Sequence, residues 1–87
     1  MSETRATRLK RLHMRSMRRG IKEMDIILSR FAEARLETLS EDDLALYEVL
    51  LEENDQDLYQ WVTGQERAPD QLQPLIDKIA ALTAKGG

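Results

Sequence analysis

The chain contains few aromatic residues, and it contains no cysteine and no long hydrophobic run; each of these two absences excludes a class of protein. Without cysteine, neither a disulfide framework nor a thiolate metal site can stabilise its 87 residues. No apolar stretch approaches the roughly 20 residues that cross a bilayer, and no secretory signal is present. We therefore expect a protein of a reducing, intracellular compartment, without membrane insertion, whose stability comes from packed helices alone.

The spacing of the apolar residues predicts an all-α protein, because no segment alternates with the period of a strand. The predicted helices run from about Thr7 to Arg19, from just after Gly20 to about Glu37, from the Ser40 N-cap to about Glu53, from Gln56 to about Thr63, and from between Pro69 and Pro74 to about Ala84. We expect a compact five-helix bundle in a single small domain (7–84), with a flexible N-terminus (1–6) and a frayed tail (85–87). Ser40 and Asn54-Asp55 are predicted helix caps, and Gly64 is predicted to end the fourth helix.

Charge is divided unequally along the chain. Residues 1–22 contain eight Lys or Arg and one acid, Glu3, for a net charge of +7, whereas residues 23–87 contain five basic and fifteen acidic residues, for a net charge of −10. On a helical projection the apolar flank of the first helix holds Leu9, Leu12, His13, Ser16 and Met17, and the opposite face holds Arg8, Arg11, Arg15, Arg18 and Arg19. Two interpretations are open: this basic face contacts an anionic partner, or it lies against the acidic remainder of the chain.

The sequence offers no catalytic site. Its one histidine, His13, lies on the apolar flank of the first helix, and Ser16 three residues later has no acid nearby to orient the imidazole. The acidic clusters at 41–43 and 54–57 are typical of helix starts, and they lack the spacing of a calcium loop. We therefore expect no enzyme, no catalytic residues and no metal.

The junction between the first two helices, Arg19-Gly20-Ile21-Lys22-Glu23, combines geometry and charge most specifically. Gly20 is predicted to close the first helix in a left-handed turn, which would place a guanidinium and a carboxylate side by side at an exposed corner. Two interpretations are open here as well. Glu23 either caps the second helix and favours its dipole, or it contributes to a protein-binding surface.

Two segments resemble the succinate dehydrogenase assembly factor 2 family, whose bacterial members are called flavinators. Residues 18–25 (RRGIKEMD) resemble the family signature R-R-G-M-x-E-x-D, with Ile21 in place of methionine. Residues 50–61 resemble the later L-L-E and D-x-D-L-x-x-W segment, with Gln56 where proline is frequent. The resemblance extends over roughly residues 8–82, which is nearly the whole predicted domain.

The resemblance implies a five-helix assembly chaperone. Such a protein binds the flavoprotein subunit of succinate dehydrogenase, and in bacteria often that of fumarate reductase, and promotes covalent attachment of FAD to a histidine of that subunit. The FAD is carried by the partner, so no cofactor is expected to bind this chain stably. Carried onto this sequence, the contact surface is centred on Arg19, Gly20 and Glu23, with Arg18 and Asp25 beside them.

A bacterial cytoplasmic location is expected in preference to the mitochondrial matrix, because mitochondrial members of this family carry longer N-terminal extensions. The alternative function is that of an antitoxin or a small nucleic-acid-binding protein that uses the basic first helix. Nucleic acid is the less favoured partner, since no aromatic residue interleaves the arginines and the acidic remainder would repel a polyanion.

Overall fold

Five α-helices and one short 3-10 helix make up most of the described chain, residues 3–85 of the computed structural model. The helices are α1 (Arg5–Ser16), α2 (Lys22–Arg35), α3 (Glu41–Leu51), α4 (Asp55–Val62) and α5 (Gln73–Lys85), and the 3-10 helix Leu36–Thr38 follows α2. The prediction of an all-α, five-helix single domain is confirmed. Residues 1–2 and 86–87, which belong to the predicted flexible ends, lie outside the described residues.

Polar side chains begin the helices where the sequence predicts it. The Ser40 hydroxyl accepts the backbone N–H of Asp43 at 3.1 Å, which caps α3, and the Asn54 side chain accepts the N–H of Gln56 at 2.8 Å, which caps α4. Each bond satisfies one of the backbone donors that a helix start leaves unpaired. Gly64, with a φ of +80°, provides the left-handed residue just after α4, as predicted.

The first helix differs from its predicted bounds at both ends. It begins at Arg5 instead of Thr7, because the Thr4 side chain caps it by accepting the Thr7 N–H at 3.1 Å. It ends at Ser16 instead of Arg19, because Met17 is extended, with φ −98° and ψ 168°. Met17, predicted on the apolar flank, is consequently 51% exposed. The segment that joins α1 to α2 is therefore longer than predicted.

The core is built from the apolar stripes that the sequence predicts. Its largest members are Phe31 of α2 and Tyr47 of α3, whose ring centroids lie 5.7 Å apart. Each of the other helices contributes fully or nearly fully buried aliphatic side chains: Leu12 from α1, Leu58 and Val62 from α4, and Leu75, Ile76 and Ile79 from α5. This packing brings the end of α1, the start of α2 and the start of α4 close together.

Candidate protein-binding site

The turn after α1 is stabilised by a residue of α2. Arg18 has a φ of +58°, and it is Arg18, not Gly20, that adopts the left-handed conformation. For a residue with a side chain this conformation costs roughly 1–2 kcal/mol. The Asp25 carboxylate offsets that cost, because its Oδ1 atom accepts the backbone N–H of Arg18 at 3.0 Å. The predicted left-handed turn at Gly20 is therefore wrong, and the turn depends on Asp25.

The Arg19 side chain is partly buried and engaged in hydrogen bonds within the chain. It is 11% exposed, and Nε donates to Oδ1 of Asp55 at 2.7 Å. The terminal nitrogens donate to the backbone carbonyls of Arg15 at 3.2 Å, Leu51 at 3.1 Å and Glu53 at 3.4 Å. These carbonyls lie at or just beyond the C-terminal ends of α1 and α3, where helix dipoles favour a cation. The guanidinium thus joins two helix ends to the start of α4.

Glycine at position 20 is explained by a close approach to the same aspartate. The Gly20 backbone N–H donates to Oδ2 of Asp55 at 2.6 Å, while Arg19 binds the other oxygen. A Cβ atom on Gly20 would lie 3.0 Å from that Oδ2 atom, so a side chain here would displace the carboxylate. The requirement at Gly20 is for space, since its φ lies outside the left-handed range.

The five predicted site residues separate into two groups. Arg19, Gly20 and Asp25 make contacts within the chain, whereas Arg18 and Glu23 have exposed side chains. Among residues 3–85 nothing forms a hydrogen bond or ion pair with the Glu23 carboxylate, and α2 has no side-chain N-cap. The capping hydrogen bond that one interpretation assigned to Glu23 is absent. Of the five predicted site residues, Arg18 and Glu23 are therefore the two whose charges remain available at the corner.

A buried pair of hydroxyl groups joins the last residue of α1, just before the corner, to α3. The Ser16 Oγ atom donates to the Leu12 carbonyl at 2.8 Å and lies 2.6 Å from the Tyr47 hydroxyl, with both side chains fully buried. Since the single Ser16 proton goes to Leu12, Tyr47 is the donor in the second bond. Burial raises the pKa of Tyr47 to about 12. The feature of the sequence that could have indicated this buried hydrogen bond is the position of Ser16 on the apolar flank of α1.

Four arginines of α1, together with Arg19 just after it, form a ladder of ion pairs with Glu3 and with carboxylates of residues 41–55. Arg8 binds Glu48 through Nε and Nη2, at 3.1 Å and 2.8 Å, and Arg11 binds the same carboxylate at 2.6 Å. The remaining pairs of this arginine ladder are Arg5 and Arg8 with Glu41, Arg11 with Glu3, Arg15 with Glu52, and Arg19 with Asp55. Of the two interpretations of the charge division, the ladder supports the one in which the basic face lies against the acidic remainder.

The free energy of unfolding should decrease at acid pH, because protonation of Glu48 removes its ion pairs with Arg8 and Arg11. The Arg11 and Arg8 guanidinium groups hold the pKa of Glu48 below its usual range, against the opposing effect of burial. Because the folded pKa is lower than the unfolded one, this stabilisation is complete above the unfolded value, about 4.3, and is lost as pH falls through the folded pKa. Urea unfolding at pH 7 and at successive lower pH values should show a smaller acid loss for Glu48→Gln than for the wild type.

The control for this prediction is Glu66→Gln, at an exposed glutamate that makes no ion pair with any residue of the 3–85 segment. That variant should retain the wild-type dependence on pH. An acid loss in Glu48→Gln equal to that of the wild type would contradict the role given to the ladder.

Within the part of the chain that the structure describes, no three His, Cys, Asp or Glu residues lie close enough together to hold a metal ion. His13 is half-buried on α1. None of the helices described is both long and apolar enough to cross a membrane.

Comparison with known proteins identifies the family. A family model described as the flavinator of succinate dehydrogenase matches residues 10–83. The chain belongs to this flavinator family. Several relatives are named succinate dehydrogenase assembly factor 2, mitochondrial. The one from Meyerozyma guilliermondii is 49% identical over 61 residues, which is 70% of this chain and 45% of that protein.

Two further relatives of that name extend the comparison. The Penicillium rubens protein is 37% identical over 83 residues, which is 95% of this chain and 26% of the relative. The Schizosaccharomyces pombe protein is 40% identical over 68 residues, which is 78% of this chain and 49% of the relative. The chain thus spans half or less of the length of these three curated relatives. The resemblance predicted from the two sequence segments is confirmed.

The two segments that carry the flavinator resemblance are in direct contact. Asp55, which begins the D-x-D-L-x-x-W part of the later segment, binds both Arg19 and Gly20 of the earlier one through its two carboxylate oxygens. Asp55 was not among the predicted site residues, although it lies inside the quoted segment. Its carboxylate positions the backbone of the corner from which Arg18 and Glu23 extend.

Proposed function

We propose that this chain is an assembly factor that binds the flavoprotein subunit of succinate dehydrogenase and promotes covalent attachment of FAD to it. Membership of the flavinator family and the names of its relatives support this proposal. The structural observation that carries it is a corner whose backbone is held by hydrogen bonds to Asp25 and Asp55. Its exposed charges, Arg18 and Glu23, are neutralised by no group among residues 3–85.

The chain contributes binding in this proposal, and the partner contributes the chemistry. The flavoprotein subunit carries the FAD and the histidine that receives it, so the assembly factor acts as a chaperone without catalytic groups of its own. Glu23 makes a charge-assisted hydrogen bond to the subunit. Arg18 makes the second charged contact, while Arg19, Gly20 and Asp25 hold the corner in place.

The proposal extends to the flavoprotein subunit of fumarate reductase and to a bacterial cytoplasmic location. The nucleic-acid alternative has less support, because the arginines that suggested it are paired with carboxylates in the arginine ladder. Binding of duplex DNA at low salt that weakens steeply as salt rises would favour that alternative.

Covalent flavin on the partner tests the proposed function. The flavoprotein subunit is isolated from cells with and without the gene for this chain, denatured, and examined for flavin fluorescence in the gel. Cells without the gene should yield a subunit with little covalent flavin, and a plasmid copy should restore it. Equal fluorescence with and without the gene would refute the proposed function.

A single substitution tests the corner. Glu23→Ala should reduce the rate of covalent flavin attachment about tenfold or more, because a hydrogen bond to a charged group contributes roughly 1.5–3 kcal/mol. Its stability should change by less than about 1 kcal/mol, since Glu23 is exposed and its replacement removes only a helix-dipole interaction. Flavin fluorescence over time and thermal unfolding measure the two effects.

The control is Glu33→Ala, which removes another exposed carboxylate of α2 that no residue of the described chain binds. It should support flavin attachment at the wild-type rate. Equal rates for Glu23→Ala and the wild type would remove Glu23 from the contact surface.

A further inference from the structure

The last turn of α1 and the residue that follows it expose two large apolar side chains. Met14 is 56% exposed and Met17 is 51% exposed, which makes them the most exposed large hydrophobic residues in the 3–85 segment. Lys10 and Met14 lie on one side of α1, about 40° apart at helical spacing. Met17 follows the last turn and lies next to Met14, because its backbone N–H donates to the Met14 carbonyl at 3.2 Å. We call Lys10, Met14 and Met17, together with the adjoining Arg18, the methionine face.

The other sides of α1 are already occupied. Leu12 and Ser16 face the core, and the arginine ladder lies against α3 and the start of α4. A surface helix of a small protein ordinarily directs polar residues to solvent, and scattered single apolar residues need no explanation. Two neighbouring methionines on one face are different, because their flexible, polarisable side chains suit contact with a partner surface.

Charge adds a second feature to the methionine face. Lys10, four residues before Met14, and Arg18, next to Met17, are both exposed, and neither side chain forms an ion pair with any residue from 3 to 85. The arginines one turn away are paired with carboxylates. The methionine face is therefore apolar in the middle and positively charged at each end, so its complement is an apolar recess bordered by carboxylates.

We propose that the methionine face is a second contact surface for the flavoprotein subunit, which presents such a recess to it. This rests on the proposed function and extends its contact surface from the corner along α1. The two surfaces are continuous, because Arg18 belongs to both. The methionines supply buried apolar area, and the two cations orient the encounter.

Binding measurements on the full chain test this proposal. Titration calorimetry with the purified flavoprotein subunit gives a Kd for the wild type and for the double variant Met14→Gln/Met17→Gln. The double variant should bind at least about tenfold more weakly, because two apolar anchors become polar at the centre of the contact. Lys10→Glu should slow association and make it less dependent on salt.

Matched controls exist on other helices. Ile26 is 47% exposed and Val49 is 42% exposed, so Ile26→Gln and Val49→Gln make similar changes away from the methionine face. Each control should bind with a Kd within about twofold of the wild type, as expected away from the contact. Thermal unfolding of every variant verifies that the fold is kept.

The outcomes separate the two proposals. If the wild type binds the subunit and the double variant binds with the same Kd, or if the controls weaken binding as much, the methionine face is not a contact surface. If the wild type is a dimer that the double variant dissociates while subunit binding is unchanged, the face belongs to a second copy and the proposal is overturned. If the wild type does not bind the subunit at all, the proposed function itself fails.

Discussion

Replacing Asp55 with alanine should lower the free energy of unfolding by about 3 kcal/mol, as expected when one partner of a largely buried ion pair is removed. Asp55 is 15% exposed and its partner Arg19 is 11% exposed, so little solvent screens the pair. The variant also leaves the Gly20 N–H without its acceptor and the guanidinium without its counterion. The midpoint of urea unfolding, at constant m-value, measures the effect.

Asp57→Ala is the matched control for this prediction. Asp57 lies in the same first turn of α4, is exposed, and pairs with no residue in the described range, so its replacement removes only a helix-dipole interaction of roughly 0.3–1 kcal/mol. Arg19→Ala combined with Asp55→Ala should be less destabilising than the sum of the two single changes. Equal stability of Asp55→Ala and Asp57→Ala would show that the ion pair does not stabilise the corner.

Replacing Ser16 with alanine should cost about 2 kcal/mol, because it leaves the buried Tyr47 hydroxyl without a partner. Tyr47→Phe should cost only about 1 kcal/mol, since the Ser16 hydroxyl still donates to the Leu12 carbonyl. The double variant should cost less than the sum, because once the tyrosine hydroxyl is gone the loss of the serine leaves no buried donor unpaired. Urea unfolding of the three variants measures this coupling.

Thr83→Ala is the control for loss of a hydrogen bond from a side-chain hydroxyl to the carbonyl four residues earlier. The Thr83 hydroxyl donates to the carbonyl four residues earlier, that of Ile79, at 2.9 Å, as Ser16 does to Leu12, and it has no tyrosine partner. Its replacement should change stability by less than about 0.5 kcal/mol, as is usual for an exposed position. Strictly additive costs for the two buried hydroxyls would contradict the hydrogen bond between them.

The helices could be predicted because the signals that define them are local. Ser40 and Asn54 cap helices through backbone groups two or three residues away, and Gly64 ends α4 through its own backbone conformation. The apolar stripes follow from the period of the helix. Where the prediction was wrong, at the end of α1, the competing signal was the carboxylate of Asp25, seven residues beyond Arg18.

The sequence was sufficient to predict which segment contains the candidate site, but not which of its side chains are exposed. The sequence indicated the stretch that contains Arg18, Gly20 and Glu23, and the family comparison confirmed the resemblance. It did not indicate that the Arg19 side chain is only 11% exposed or that Gly20 is needed for space. Both facts depend on Asp55, which is 36 positions from Arg19 in the chain.

Local sequence is thus sufficient for the number and type of helices, most of their caps, and the family. Tertiary structure alone decides which charges remain available to a partner. Arg8 and Glu48 are 40 positions apart, and only the packing of α1 against α3 brings them to 2.8 Å. The physical reason is range: capping and helical periodicity act within about four residues, whereas ion pairs between helices follow from how the core packs. At the corner first indicated by the sequence, Arg18 and Glu23 are therefore exposed to a partner. Arg19, Gly20 and Asp55 hold the corner in place.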